Sequence, residues 1–110
     1  MAMIIVKGSV RFGDGEIARL TPAFAENIAA TRAEAGCAAY SYAVDLTDPN
    51  LLHVAEEWSS GEAVDAHMQA PHMGALMAAL STAAIESIRI DAYDAHFLRN
   101  VLGGDPPAGD

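Results

Sequence analysis

The order in which hydrophobic periodicity changes along the chain constrains the fold more than any single residue. Ile4 to Phe12 alternates with period two: Ile4, Val6, Gly8, Val10 and Phe12 share one face, and Ile5, Lys7, Ser9 and Arg11 the other. That is the pattern of a strand. Gly13-Asp14-Gly15 ends it, and Ile17, Leu20, Phe24 and Ile28 then recur at helical spacing, up to Ala35 and the stop at Gly36. Pro22 lies inside this run, so it either bends the helix or opens its main part with Thr21 as N-cap. Cys37 to Leu46 and Leu51 to Trp58 read as the two strands of a hairpin around Thr47-Asp48-Pro49-Asn50. Ser59-Ser60-Gly61-Glu62 has capping-box spacing and starts a helix through about Gln69. After the interruption at Pro71, Met73, Leu76, Met77 and Leu80 lie on one helical stripe, and Ile85 to Asp94 is a fourth strand. The order β-α-β-β-α-β predicts an α+β, ferredoxin-like fold with a four-stranded antiparallel sheet and helices on one face.

With 110 residues the chain fits one domain, assigned to residues 1–96. Residues 97–110 form a C-terminal tail, and its Pro/Gly-rich end from Gly103 to Asp110 is expected to be disordered. Ala supplies 23 of the hydrophobic residues, so the bulky apolar content is modest for a solitary core. Yet both faces of the first strand carry Ile or Val, and the fourth holds Ile85, Ile88 and Ile90. The expectation is a homodimer in which a second copy covers the open sheet face.

Charge excludes some partners. Fifteen acidic residues face six basic ones, and those six are scattered singly, so neither nucleic acid nor a membrane surface is expected as a partner. A lone Cys37 excludes an intrachain disulfide framework and reads as a small buried thiol. No apolar run approaches membrane-helix length, and the first apolar run has no basic residues before it. A soluble cytoplasmic protein is expected.

The residues able to do chemistry lie in the hairpin strands and in the helices that follow them. Trp58, at a strand end, can orient a ligand through its indole N–H or simply pack strand against helix. His67 has the right ordinary pKa to take a phenol proton near neutral pH; the structural alternative is a histidine held by a local hydrogen bond. His72, just after Pro71, holds a second substrate oxygen or packs the turn. Five residues and a proline separate the two histidines, so no metal site is expected from them. Glu56 shares a face with Leu52, Val54 and Trp58, which calls for an arginine partner, Arg11 or Arg89, or for a raised pKa and a chemical use. Tyr40 and Tyr42 share a strand face and can supply phenolic hydrogen bonds. Phe24, Met73 and Met77 would complete an apolar wall suited to a flat aromatic ligand.

The runs Ala35-Gly36-Cys37-Ala38-Ala39-Tyr40, Asp48-Pro49, Glu56-Glu57-Trp58 and His67-Met68-Gln69-Ala70-Pro71-His72-Met73 together resemble the antibiotic biosynthesis monooxygenase (ABM) family, quinol monooxygenase-like members included. The resemblance spans about residues 3 to 94. It implies a dimeric α+β barrel and oxygenation of a quinol or polyphenol by O₂ without cofactor or metal. In that reading His67 is the base and Trp58 an orienting group, while His72, Tyr40, Tyr42, Glu56, Met73, Met77 and Phe24 contact the substrate. Ala70 stands where relatives often carry a capping Ser. The haem-degrading branch is disfavoured, because the first strand has no Asn and the helix after the third strand carries His67 where that branch has Trp. The alternative is a non-catalytic dimeric barrel that binds a small aromatic or polyketide-like ligand.

Overall fold

Hydrogen bonding links four antiparallel strands in the order β2-β3-β1-β4. The elements are β1 (Ala2–Phe12), α1 (Glu16–Arg32), β2 (Cys37–Asp45), β3 (Asp48–Trp58), α2 (Gly61–Gln69), α3 (Pro71–Leu80) and β4 (Ile85–His96). This is the ferredoxin-like order, with the second helical unit split in two. The computed structural model describes residues 2–104. Residues 105–110, most of the expected disordered end, lie outside the described residues. Among the described residues, no helix is long and apolar enough to cross a membrane.

Several boundaries differ from the sequence reading, each for a local reason. α1 runs straight through Pro22 from Glu16, so Thr21 is no cap; its hydroxyl donates instead to the Ile17 carbonyl, 2.7 Å away. Pro22 lies on the exposed side of α1, so the carbonyl its missing N–H would have met belongs to an exposed residue, Ala18, rather than to the core. The hairpin turn is Leu46-Thr47, with the Thr47 N–H and hydroxyl both donating to the Asp45 carboxylate. Asp48-Pro49-Asn50 belongs to β3. The β1–β3 ladder ends at Leu51, so Pro49 sits where no β1 partner needs its N–H. In α2 it is Ser60, rather than Ser59, that caps, accepting from the Ala63 N–H. α3 starts at Pro71 with Ala70 as a cap that makes no side-chain hydrogen bond.

The helices lie over β2 and β3, and they bury the face that carries Val6, Val10, Phe12, Tyr40, Leu52, Val54 and Trp58. Each such large side chain contributes about 1.5–3 kcal/mol by leaving water. Ile88 and Ile90 require a correction. They pair with Val10 and Gly8, which puts them on the helix-side face and not on the open one. No helix reaches them there, and they stay 56% and 40% exposed. The open face is mixed: Met3, Ile5 and Tyr93 stand among Lys7, Ser9, His53, Arg89 and Asp91.

Close backbone approach explains Gly8. A Cβ there would lie 2.0 Å from the Arg89 carbonyl oxygen and 2.5 Å from Ile90 Cα, so only glycine lets β4 coil this tightly over β1. Gly36, at φ +85°, turns the chain from α1 into β2 against Ala63 and Ser59.

Candidate functional site

Between the helices and the sheet lies a cavity of about 360 Å³, within the usual size of a small-ligand site. Its walls are mostly apolar, and it opens along the β4 side, where Ile88 and Ile90 form the rim. Seven of the residues singled out from sequence line it. Phe24 comes from α1, Tyr40 and Tyr42 from β2, Glu56 from β3, His67 from α2, and Met73 and Met77 from α3. Strand parity explains the set: Tyr40, Tyr42 and Glu56 all occupy the helix-side face, and the helices turn Phe24, His67 and Met73 down onto it.

Trp58 and His72 are not among the lining residues. Trp58 is fully buried and donates its indole N–H to Glu56 Oε1 at 2.9 Å, so that N–H is committed within the protein. The expected arginine partner of Glu56 is thereby replaced. Arg11 pairs with Asp48 and Arg89 with Asp91, because both arginines point from the other face of their strands. Burial pushes the Glu56 carboxyl above its usual range, against the opposing effects of the Trp58 hydrogen bond and nearby His67.

His67 is 2% exposed, with its ring 4.8 Å from that of Trp58 and 5.3 Å from that of Tyr40. Its Nδ1 lies 2.7 Å from Glu34 Oε2, and His72 Nε2 lies 2.7 Å from the same oxygen. Pro71 does not keep the histidines apart, as their spacing suggested. It breaks the helical path so that α2 and α3 meet at an angle where both rings converge on one carboxylate. Burial pushes the Glu34 carboxyl up, but hydrogen bonds from the two histidines outweigh this and hold it below its usual value. An ionised carboxylate only accepts, so His67 presents a proton on Nδ1 to Glu34, and in the neutral ring Nε2 is then the acceptor.

A second polar group sits on the opposite wall. Asn27, 2% exposed, donates from Nδ2 to the Tyr40 hydroxyl (3.0 Å) and the Tyr42 hydroxyl (3.1 Å), and the hydroxyls are 2.7 Å apart. One tyrosine proton serves the bond between them. The other has no acceptor among the described residues and is available to an oxygen in the cavity. Burial raises both tyrosine pKa values, so both phenols stay protonated.

Sequence reasoning missed Glu34 and Asn27. Asn27 was findable, since Leu20, Phe24, Asn27 and Thr31 fall on one buried stripe of α1 and two of those four are polar. Glu34 lies just beyond α1, and nothing in its local sequence marks it. Cys37 is half-buried and its thiol is pushed up by burial, which fits an unreactive thiol.

Residues 3–79 match the family model described as antibiotic biosynthesis monooxygenase. The chain belongs to this family. Among solved structures, the ABM chain is similar to a Deinococcus radiodurans protein provisionally named an antibiotic biosynthesis monooxygenase. That likeness has a TM-score of 0.83 and 27% identity, over 91% of this chain and 99% of the other. A conserved protein from Methanosarcina mazei aligns with TM-score 0.78 and 24% identity, over 84% of this chain and 92% of its own. A Nitrosomonas europaea protein, also provisionally named for this family, aligns with TM-score 0.79 and 14% identity, over 84% and 89%. The last two support the shared fold alone. No functionally curated protein shows significant sequence similarity to this ABM chain.

Proposed function

We propose that this ABM protein is a cofactor-independent monooxygenase that oxidises a quinol or related polyphenol with O₂. The observation that carries the proposal is His67, buried at the cavity wall with Nδ1 fixed by Glu34 and Nε2 left to accept a proton. Taking a phenolic proton there gives a phenolate, which passes an electron to O₂ far more readily than the neutral phenol. Oxygen then bonds to ring carbon, the O–O bond breaks, and one oxygen atom leaves as water. The quinol becomes a hydroxyquinone and supplies all four electrons that O₂ takes up, so no external reductant is needed.

The free tyrosine O–H at the Tyr40–Tyr42 pair and the carboxyl of Glu56 would hold the second substrate oxygen. Phe24, Met73 and Met77 would flank the ring and keep water from the reactive intermediate. Trp58 would act through Glu56, and His72 through Glu34, as positioning residues rather than substrate contacts. Lys and Arg are missing from the lining, while the carboxyl of Glu56 is present, which favours a neutral aromatic over an anionic one.

The active form in this proposal is a homodimer of ABM subunits, paired through the open sheet face. Met3, Ile5 and Tyr93 on that face, with exposed Phe97 and Leu98 just after β4, would leave water on pairing. An oxygen electrode with a panel of quinols tests the activity: uptake supports it, and tight aromatic binding without uptake points to a ligand-binding barrel instead.

A further inference from the structure

We infer that Glu34, His67 and His72 form a reversible site for a divalent transition metal of the zinc class, and that its occupancy switches the cavity base off. The second half rests on the reading of His67 as base; the first does not.

Three potential ligand atoms, Glu34 Oε2, His67 Nδ1 and His72 Nε2, lie within 4.8 Å of one another. They come from three separate places, the turn after α1, α2, and the first turn of α3, so the fold and not one helix brings them together. Two imidazoles and a carboxylate suit zinc and neighbouring transition ions, and three protein ligands leave a position for water. Zinc bonds to such atoms span about 2.0–2.2 Å. A tetrahedral ion at such distances sets its ligand atoms roughly 3.3 Å apart, so the 2.7 Å nitrogen–oxygen contacts have to open by about 0.6 Å to admit it. Glu34 lies outside any helix or strand, on the turn that follows α1, so no helical or ladder hydrogen bond holds it in place.

The consequence follows from proton placement. With a neutral ring the Nδ1 proton of His67 is donated to Glu34 in the metal-free site, which leaves Nε2 as the ring's acceptor at the cavity wall. A metal on Nδ1 needs that lone pair, so the proton moves to Nε2, and His72 likewise shifts its proton from Nε2 to Nδ1. With both rings neutral, this exchange releases no net proton. The cavity-facing nitrogen changes from acceptor to donor and can no longer take a phenol proton.

Equilibrium competition between the purified metal-free protein and a chromophoric zinc chelator tests the site. Expected is one Zn²⁺ per chain, weakened at least tenfold in both Glu34→Gln and His72→Gln, and unchanged in His53→Gln at the exposed Asp45–His53 pair. Co²⁺ should give the visible bands of a four-coordinate ion in wild type and in His53→Gln, and not in Glu34→Gln or His72→Gln. Circular dichroism of the variants, whose altered side chains lie near the surface, checks their folding. No Zn²⁺ uptake, or uptake unaffected by both substitutions, overturns the site. Where turnover is measurable, Zn²⁺ should suppress it and a chelator restore it; uninhibited turnover with the site filled overturns the switch. Zn²⁺ binding in a protein without turnover would leave the site standing and overturn the oxygenase reading alone.

Discussion

His67 Nδ1 stands 2.7 Å from Glu34 Oε2, and this one contact decides which nitrogen of the neutral ring carries the proton. Glu34 does not itself line the cavity, so its substitution should alter chemistry more than binding. In Glu34→Gln the amide can donate as well as accept, which allows the wrong tautomer of His67. We expect kcat to fall by about 10²-fold or more with KM nearly unchanged, as for loss of an oriented general base. Steady-state O₂ uptake at varied quinol concentration checks the split.

Asn27 holds two phenols from one buried amide. Asn27→Ala removes the one amide nitrogen that serves both hydroxyls and leaves a small void, at a cost of about 2–3 kcal/mol. Thermal unfolding should show a Tm lower by about 10 °C. Tyr42→Phe should cost less, because Asn27 and Tyr40 still pair. A Tm unchanged by Asn27→Ala would mean that the hydroxyl network adds nothing to stability.

Glu56 gives the fold a pH dependence of opposite sign to that of a salt-bridged carboxylate. Burial raises its folded pKa above the ordinary 4.5, so the folded state favours the protonated form. Its contribution is therefore fullest in acid and is lost as pH rises from 4.5 through the raised value. Glu56→Gln keeps an acceptor for the Trp58 N–H and removes the buried charge. The variant should lack this decline and be more stable than wild type at neutral pH by about 1 kcal/mol. Melts across the acid-to-neutral range compare the two.

The fold was legible because each element declares its own period. Ile4 to Phe12 alternates cleanly, and the helix-side face it predicts is the buried one. Parity likewise put Tyr40, Tyr42 and Glu56 on a common wall. What failed depended on tertiary context. Asp48-Pro49-Asn50 has the composition of a turn, yet pairing with Arg11 and the early end of the β1 ladder make it strand. Ile88 and Ile90 are apolar on a strand, but only the register with Val10 and Gly8 shows which face they occupy. Glu34 is marked only by the fold, in which the break at Pro71 aims two histidines at it.

The open sheet face carries the dimer proposal. Tyr93 is half exposed there, opposite Ile5. Light scattering at micromolar concentration should give a dimer, and Tyr93→Glu, which would place like charges across the pairing, should give a monomer that keeps its fold. A monomeric wild type would contradict the proposal.

The base assigned to His67 is tested most directly by O₂ consumption with quinol, in metal-free buffer, by wild type and by His67→Ala side by side. The account predicts stoichiometric O₂ uptake by wild type, one molecule per hydroxyquinone formed, and a kcat at least tenfold lower in a variant that still binds the aromatic. Equal rates in the two proteins would contradict it, as would a folded wild type that binds quinols in the cavity and consumes no oxygen.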